Sequence, residues 1–510
     1  LRTRISLGRS ATPNSSWSSN IPPMPRRVPL LLTTPIYYAN GAPHVGHAYT
    51  TIAQDVVVRA WRQQGRKVFS LTGTDEHGQK VADTAAAAGV TPQAFVDMQA
   101  KAFQRLFQQL NIGFDRFIRT TDADHVAGVR AFLIKLKAAV TPLGRPAVYQ
   151  GEYRGLYCQG CERFYTEKEL VDGKCSLHRT VPQELVEHNW FFRLADYLPA
   201  LKKAVAGKAL DIQPRAAREE VLGYFKQGVQ DFSISREKVQ WGIPLPWDKT
   251  QTAYVWVDAL PNYLTGVGYG KDARGYRQWW RGEVTHFMAR DILKFHAVYW
   301  PALLMAVGEP VPTTVFAHGY FTVDGQKMSK SIGNVINPAD LIAKYGVDGT
   351  RYLLLTPFPF GQDGDLPVER FTEKYNADLA NGLGNLVSRT TNMVERYLGG
   401  TVKLAKAPKP LAKAEKLTTE FAFTQALGEV WKSVTWANQA IDKARPWDLG
   451  KSTKAADKQK LGKLLAELVA QLKEITRAIT PYLPATGATL VKVFQQKKLV
   501  KAPPLFQRVV

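Results

Sequence analysis

The sequence predicts an α/β fold in which a parallel sheet is split by a small insert and followed by a bundle of α-helices. Apolar strand-like runs alternate with helical patterns near the N-terminus, and the alternation returns after about residue 253. Between these regions, residues 145–180 form short segments rich in Gly, Cys and charged residues, as expected for an insert. Beyond about residue 366 the pattern is almost entirely helical.

The first half of the sheet begins with residues 28–38 (VPLLLTTPIYY), an apolar run that predicts a strand. Turn residues follow it, and a helix is predicted to begin near Gly46. A second strand, Lys67–Leu71, precedes helical patterns at 91–111 and 123–140. This order favours a parallel sheet that binds its ligands at the carboxyl ends of the strands.

The second half of the sheet is predicted from strand-like runs at 253–258 and 284–288, with a helix near 290–306. The helical region that follows is interrupted by a Lys- and Pro-rich break at 402–413. The layout is therefore that of a split nucleotide-binding domain followed by a helical bundle.

Composition indicates a soluble globular protein of about two to four domains, since 510 residues exceed one ordinary domain. The chain has no apolar run of the roughly 18–20 residues that a membrane helix needs, so we expect no membrane association. Lys and Arg number 67 against 44 Asp and Glu, a net charge of +23. Such a charge favours phosphate-rich partners, although lysine-rich solvated surfaces or a generally basic proteome would also produce it.

The first 27 residues are rich in Ser, Arg and Pro, and the chain has no acidic residue before Asp55. They fit an organellar transit peptide or, as we prefer, an over-long reading frame with Met24 as the true start. We expect this leader, residues 1–27, to be disordered or non-native.

His44-Val45-Gly46-His47 lies on the predicted turn into the first helix. A helix N-terminus offers free N–H groups and positive potential, and imidazoles one turn apart can donate hydrogen bonds to charge that develops during a reaction. The pattern predicts a polyphosphate site, although the tetrapeptide alone could arise by chance.

Lys327-Met328-Ser329-Lys330-Ser331 lies in a predicted loop before Gly333. Two lysines three positions apart on a mobile loop can close on a pyrophosphate leaving group. A solvated basic loop is the simpler interpretation of such a pentapeptide taken alone.

The three cysteines, Cys158, Cys161 and Cys175, lie close together in the chain, and His178 follows them. The spacing is that of two knuckles that close one tetrahedral zinc site. The alternative is three buried thiols beside a surface histidine. We predict one structural Zn²⁺, because no open coordination position is evident.

The two signatures, in this order and about 280 residues apart, resemble those of class I aminoacyl-tRNA synthetases. Further blocks narrow the resemblance to the methionyl-tRNA synthetase family, and the knuckle is similar to that of the bacterial single-zinc type. The resemblance covers residues 28 to about 450, in family order. Its blocks are Thr33–Tyr38, Gly73–Gly78, Gly155–Cys158, Cys161–Tyr165, Ser233–Arg236, Trp241–Trp247 and Tyr254–Ala259.

The resemblance implies roles for individual residues. Those of catalysis fall on His44, His47, Lys327 and Lys330, and those of ATP binding on these four with Gly46, Met328 and Ser329. Asp75 would hold the α-ammonium group of methionine, and the rest of the methionine site would be Ile36, Tyr38, Trp256, Ala259, Leu260, Tyr263, Ile292 and His296, with Trp256–Tyr263 on a strand segment. Asn385, Arg389 and Trp447 would read the anticodon.

The implied domains are two halves of a class I Rossmann-type catalytic domain (28–114 and 236–318), a connective insert with the zinc knuckle (115–235), a linker that carries the lysine loop (319–365) and an α-helical anticodon-binding domain (366–510). The implied activity is ATP-dependent activation of L-methionine and its transfer to tRNA(Met), including the initiator tRNA. Mg²⁺ would accompany ATP, and we expect a cytoplasmic monomer.

One departure and three alternatives remain. The family's Gly-Lys-Asp is replaced by Ala289-Arg290-Asp291, which adds a methyl group beside the adenosine site and changes the reach of the cation. The alternatives are another class I synthetase for an apolar amino acid, which would usually carry a larger editing insert, a small nucleotidylyltransferase, which would not need the helical bundle, and a catalytically silent RNA-binding paralogue.

Overall fold

The computed structural model describes residues 28–158, 163–165, 167–176, 179–327, 335–403 and 405–510. Within these ranges the chain forms one parallel sheet, smaller antiparallel and mixed sheets, and a long helical C-terminal region. The strands are β1 (Leu30–Tyr38), β2 (Val68–Asp75), β3 (Arg116–Arg119), β4 (Val148–Cys158), β5 (Arg163–Tyr165), β6 (Gln183–Phe192), β7 (Asp211–Gln213), β8 (Phe232–Ser233), β9 (Ser235–Arg236), β10 (Thr252–Ala253), β11 (Glu283–Ala289), β12 (Thr314–His318), β13 (Phe321–Val323), β14 (Gln326–Lys327) and β15 (Gly364–Leu366).

The α-helices are α1 (Val45–Gln63), α2 (Gln79–Ala87), α3 (Pro92–Gln109), α4 (Ala123–Ala138), α5 (Leu198–Ala206), α6 (Arg215–Gln227), α7 (Val255–Ala259), α8 (Asn262–Thr265), α9 (Ala273–Trp280), α10 (Trp300–Ala306), α11 (Pro338–Leu355), α12 (Phe371–Lys374), α13 (Asn385–Leu398), α14 (Ala412–Thr419), α15 (Phe423–Ala444), α16 (Pro446–Lys451), α17 (Ala455–Ile479) and α18 (Pro484–Phe494). Short 3-10 turns and two π-helical segments, Phe295–Tyr299 and Tyr375–Gly384, complete the helical structure of the described residues.

The main sheet has six parallel strands in the order β3-β2-β1-β11-β12-β7. β1 lies at its centre, where the chain order reverses between β1 and β11. In an open parallel sheet, ligands bind at the carboxyl ends of the strands beside such a reversal. The predicted strand–helix order of the first half is confirmed, since β1, α1, β2, α3 and α4 occur in this order, with α2 and β3 between them.

β1 is buried on both faces, and its alternating side chains enter two different cores. Leu30 and Leu32 belong to a cluster that contains α1 and continues into the C-terminal helices. Leu31 belongs to a second cluster on the other face, with α4 and α10. The helical region therefore shares a continuous core with one face of the sheet.

Residues 115–235, the predicted insert, contain a separate antiparallel sheet in the order β5-β4-β6-β8. They also supply β3 and β7 as the two edge strands of the main sheet. The predicted domain boundaries themselves stay predictions.

The prediction of a strand at 253–258 is wrong. β10 ends at Ala253, and Val255–Ala259 form helix α7, with α8 directly after it. Both helices are buried on all sides. A short, fully apolar run has neither the alternation of a half-buried strand nor the stripe of a surface helix, so its pattern does not distinguish the two structures.

No helix among the described residues is long and apolar enough to cross a membrane.

Candidate active site

A cavity of about 990 Å³ lies at the carboxyl ends of β1 and β11. The structure brings together in its lining all nine residues predicted for methionine, together with the His44, Gly46 and His47 of the first signature. The nine are Ile36, Tyr38, Asp75, Trp256, Ala259, Leu260, Tyr263, Ile292 and His296. Four of them, from Trp256 to Tyr263, lie in the helical segment of α7 and α8 and not on the strand that the resemblance implied.

His44 and His47 begin α1, as predicted. His44 is the N-cap residue, and its Nδ1 accepts a hydrogen bond from the Gly46 N–H at 3.1 Å. The Nδ1 of His47 accepts from the His44 N–H, also at 3.1 Å. An imidazole whose Nδ1 accepts carries its proton on Nε2 when neutral. The backbone therefore fixes both neutral rings as Nε2–H donors.

The environment keeps His47 neutral. Burial, and then the neighbouring His44, hold the pKa of His47 well below its ordinary value of 6.5. The two rings lie 3.9 Å apart between centroids, and a Cβ atom at Gly46 would lie 3.0 Å from the ring of His44. The glycine therefore leaves the space in which the His44 ring sits over the helix N-terminus.

Tyr263 and His296 form a polar pair in the otherwise apolar part of the cavity. His296 Nδ1 donates to the Ile292 carbonyl oxygen at 3.0 Å, so its Nε2 accepts from the Tyr263 hydroxyl at 2.7 Å. Burial lowers the pKa of His296 to about 4, so the ring is neutral near pH 7. The hydroxyl oxygen of Tyr263 therefore retains acceptor capacity within the cavity wall.

An aromatic wall faces the same space. The indole of Trp256 stacks on Phe295, with ring centroids 3.8 Å apart and planes 3° from parallel. The rings of Tyr38 and Trp256 are nearly perpendicular, with their centroids 6.2 Å apart. Trp256 is 8% exposed and Asp75, at the end of β2, is 3% exposed. The cavity thus presents a polarisable apolar side with the carboxylate of Asp75 also in its lining.

The sequence analysis did not predict His318, a further histidine that lines the cavity at the end of β12. His318 Nδ1 donates to the Gly319 carbonyl oxygen at 3.0 Å, and its Nε2 accepts from the Thr50 hydroxyl at 2.7 Å. Burial lowers the pKa of His318 to about 4. The apolar run 314–318 ending in His-Gly was the available signal, since β12 ends beside β11. The lining also contains further polar residues that the site prediction did not include, among them Lys80, Asn262, Asp291 and Tyr320.

Ala289 and Arg290, the departure from the family pattern, have different surroundings. Ala289 lines the cavity, as expected for a methyl group beside a ligand. Arg290 does not line it. Its guanidinium donates to Glu220 of α6 at 2.6 Å and lies 3.8 Å from Asp363, and the hydrogen bond to Glu220 raises its pKa. The cation is therefore engaged by two carboxylates outside the cavity.

The lysine signature is only partly described. Lys327 ends β14, and Met328, Ser329 and Lys330 lie outside the described residues, as does the side chain of Lys327. β14 pairs with β13, and two residues of β13, Phe321 and Thr322, line the cavity. The loop therefore starts from a hairpin at the edge of the cavity.

Of the predicted zinc ligands, Cys158 and Cys175 lie in the described residues, and Cys161 and His178 do not. Cys158 is 2% and Cys175 is 0% exposed, and both belong to a small cluster with Tyr165. Within the described part of the chain, no three potential metal ligands come together. The two thiols are buried in one place, as the predicted knuckles require.

The three predicted anticodon residues lie in the helical region, away from the cavity. Asn385 and Arg389 are one turn apart on α13, and Trp447 lies in α16. Asn385 is exposed, and the Trp447 side chain is 37% exposed. Arg389 donates to Asp442 of α15 at 2.8 Å.

The chain is similar to known proteins in both sequence and fold. The family model described as tRNA synthetases class I (M) matches residues 30–179 and 144–391. The chain is 41% identical to the methionine–tRNA ligase of Clostridium acetobutylicum over 470 residues, 89% of this chain and 72% of that protein. It is equally similar to that of a Nostoc species, over 90% of this chain and 88% of that protein.

A solved structure of similar fold is the Mycobacterium tuberculosis methionyl-tRNA synthetase bound by methionyl-adenylate. It is 37% identical to this chain, with a TM-score of 0.87, and the match covers 94% of this chain and all of that one. At this identity and coverage the likeness extends beyond the fold to the family.

Proposed function

Because this chain belongs to the methionyl-tRNA synthetases of class I, we propose that its central cavity binds L-methionine and ATP side by side. Its activity is that of a methionine–tRNA ligase, which activates methionine with ATP and charges tRNA. One observation supports the proposed site above all others. Twelve predicted residues, from segments as distant as β1 and the turn after β11, line one cavity.

The methionine site would combine Asp75 with the aromatic wall. A buried ammonium group needs a charged partner, and Asp75 supplies a carboxylate at the cavity edge. The thioether would lie against Trp256, because sulfur makes favourable contacts with aromatic rings. The hydroxyl of Tyr263 would face it as an oriented polar group, since it donates its hydrogen bond to Nε2 of the neutral His296.

The ATP phosphates would lie at the N-terminus of α1. A methionine carboxylate oxygen attacks the α-phosphorus, a new P–O bond forms, and the bond to pyrophosphate breaks. His44 and His47 would stabilise the charge on the phosphorus oxygens as Nε2–H donors, without proton transfer. Lys327 and Lys330 would neutralise the departing pyrophosphate, with Mg²⁺ entering as part of the ATP substrate.

In the second step the 2′-hydroxyl of the tRNA 3′-terminal ribose attacks the adenylate carbonyl carbon, and AMP leaves. Asn385, Arg389 and Trp447 would recognise the anticodon of tRNA(Met), including that of the initiator tRNA. This role is supported by the location of all three residues in the helical region. It is also supported by the exposure of Asn385 and Trp447, since a base must reach these side chains for hydrogen bonding and stacking.

The proposal includes one structural Zn²⁺ held by Cys158, Cys161, Cys175 and His178. Two thiols buried in one small cluster fit the sulfur-rich ligand set that zinc prefers. When bound, the metal would tie the loop after β4 to the segment near Cys175. We further propose that the enzyme works as a cytoplasmic monomer with the domain boundaries predicted above.

Amino-acid-dependent ATP–pyrophosphate exchange, without tRNA, tests the activation step and the lysine loop. We expect exchange with methionine alone among the twenty amino acids, and its loss in Lys330→Ala. Lys416→Ala is the matched control, since Lys416 is an exposed lysine on α14. Full exchange in Lys330→Ala would overturn the role of the loop, and absence of exchange with methionine would overturn the function.

A further inference from the structure

We infer that Asp258 is a positioning residue whose carboxylate, bound between His77 and His125, fixes the spacing of the two walls of the methionine site. None of the three side chains lines the cavity, so they act through their neighbours. The inference rests on the methionine site proposed above.

Asp258 connects the wall that carries Asp75 to the wall that carries Trp256. β2 ends at Asp75, and two residues later His77 Nδ1 donates to Asp258 Oδ2 at 2.6 Å. Asp258 lies on α7, between Trp256 and Ala259, both of which line the cavity. One hydrogen bond therefore joins the proposed ammonium-binding and thioether-binding elements.

The second carboxylate oxygen is engaged from a third direction. His125 of α4 donates from Nε2 to Asp258 Oδ1 at 3.0 Å. Its Nδ1 lies 2.8 Å from the hydroxyl of Thr265, at the end of α8. The carboxylate is thus held by imidazoles from two elements, and the second of these also holds α8, the helix that carries Tyr263.

Because Asp258 is buried, its carboxylate depends on these two hydrogen bonds. The side chain of Asp258 is 1% exposed, and a buried carboxylate is costly unless its oxygens accept hydrogen bonds. Burial raises the pKa of Asp258, but the charge and hydrogen bonds of the two histidines outweigh it and lower that pKa to about 2. Apolar packing would tolerate a shift of α7, whereas two N–H donors aimed at two oxygens set its position.

Asp258→Asn tests the inference, because the amide keeps the shape but turns one acceptor into a donor that faces an N–H group. We expect the KM for methionine in pyrophosphate exchange to rise by about 10- to 100-fold, since a misplacement near 1 Å can cost as much as about 100-fold. The KM for ATP should stay unchanged. Direct calorimetric titration with methionine should show the same loss of affinity.

His77 provides a second pair of variants, which are informative even if Asp258→Asn does not fold. Asn places an amide N–H near the position of the imidazole Nδ1–H. His77→Asn should therefore retain most of the methionine affinity, and His77→Ala should lose it. Equal effects of the two variants would overturn the inference.

Two controls separate this inference from the proposed site. Trp256→Ala removes part of the proposed wall and must raise the KM for methionine if that site is correct. Asp196→Asn alters another buried carboxylate, paired with Arg145 and outside the cavity lining, and should leave this KM unchanged. An effect of Trp256→Ala without one of Asp258→Asn refutes the inference alone, and no effect of either refutes the methionine site.

Discussion

Replacement of Arg351 by methionine, at the junction of the sheet and the helical region, should cost more stability than the same replacement of Arg59, which binds the same carboxylate. Arg351 lies on α11 and is fully buried. It donates to Asp55 of α1 at 2.6 Å and to the carbonyl oxygens of Leu110, Pro481 and Tyr482 at 2.9–3.1 Å. One guanidinium therefore joins α1 to the end of α3 and to the turn between α17 and α18.

The magnitude follows from what methionine leaves behind. Asp55 would keep two contacts, the hydrogen bond from the Gly113 N–H at 3.0 Å and the ion pair with Arg59 at 2.7 Å. Its buried negative charge would, however, lose the buried guanidinium of Arg351. Removing one partner of a buried ion pair costs about 3–5 kcal/mol. Arg59 binds the same carboxylate oxygen, but its side chain is 28% exposed, so Arg59→Met should cost at most about 1 kcal/mol.

Urea unfolding, followed by both circular dichroism and tryptophan fluorescence, measures the two losses and tests whether unfolding is a single transition. The double variant Asp55→Asn/Arg351→Met should lose less than the sum of the single losses, because the two residues interact directly. A cost for Arg351→Met no larger than that for Arg59→Met would refute the reasoning.

Three further predictions concern the sheet, the histidines and the metal. Gly73→Ala should lower the midpoint of thermal unfolding, because the new Cβ atom would lie 1.9 Å from the Ile118 carbonyl oxygen of β3. Gly223→Ala, at an open helical position, is the control and should not lower it. Equal midpoints for the two variants would contradict the predicted clash. Burial opposes protonation of His77, but Asp258 raises the pKa of His77 above 6.5. The stabilisation by the His77–Asp258 pair should therefore be complete below pH 6.5 and be lost as the pH rises through the raised pKa. Urea unfolding of His77→Asn should not show this loss. Metal analysis should find one zinc per chain, lost in Cys175→Ser; retention of zinc by that variant would exclude the predicted ligand set.

The first signature could be predicted from local sequence, and the nine methionine-site residues from the family resemblance. His44 and His47 follow a buried strand and begin a helix, so their position at the strand end follows from local sequence. Asp75 was implied by the family resemblance alone, because the predicted strand ended at Leu71, whereas β2 continues to Asp75. Parallel strands bring such ends to one edge of the sheet, whatever the rest of the chain does.

Residues whose role depends on a distant partner could not be predicted in this way. His318 and Thr50 are 268 positions apart, and neither shows a local pattern that indicates the other. The Arg351–Asp55 pair joins residues 296 positions apart, and an arginine within a helix ordinarily indicates a solvated surface. The helix at Val255–Ala259 was mistaken for a strand because burial on every side removes periodicity.

Helix α1 carries the two signature histidines at its first turn and Asp55 further along. At about 1.5 Å of rise per residue, the ion pair with Arg351 lies roughly 12 Å from His47 along the helix axis. If α1 tilts by about 5° about the ion pair, the two imidazoles move by about 1 Å. A displacement of about 1 Å is enough to disturb the alignment of reacting groups. The packing of the helical region against α1 therefore also determines how accurately the two histidines are positioned. Substitutions far from the cavity can slow the reaction although they contact no substrate.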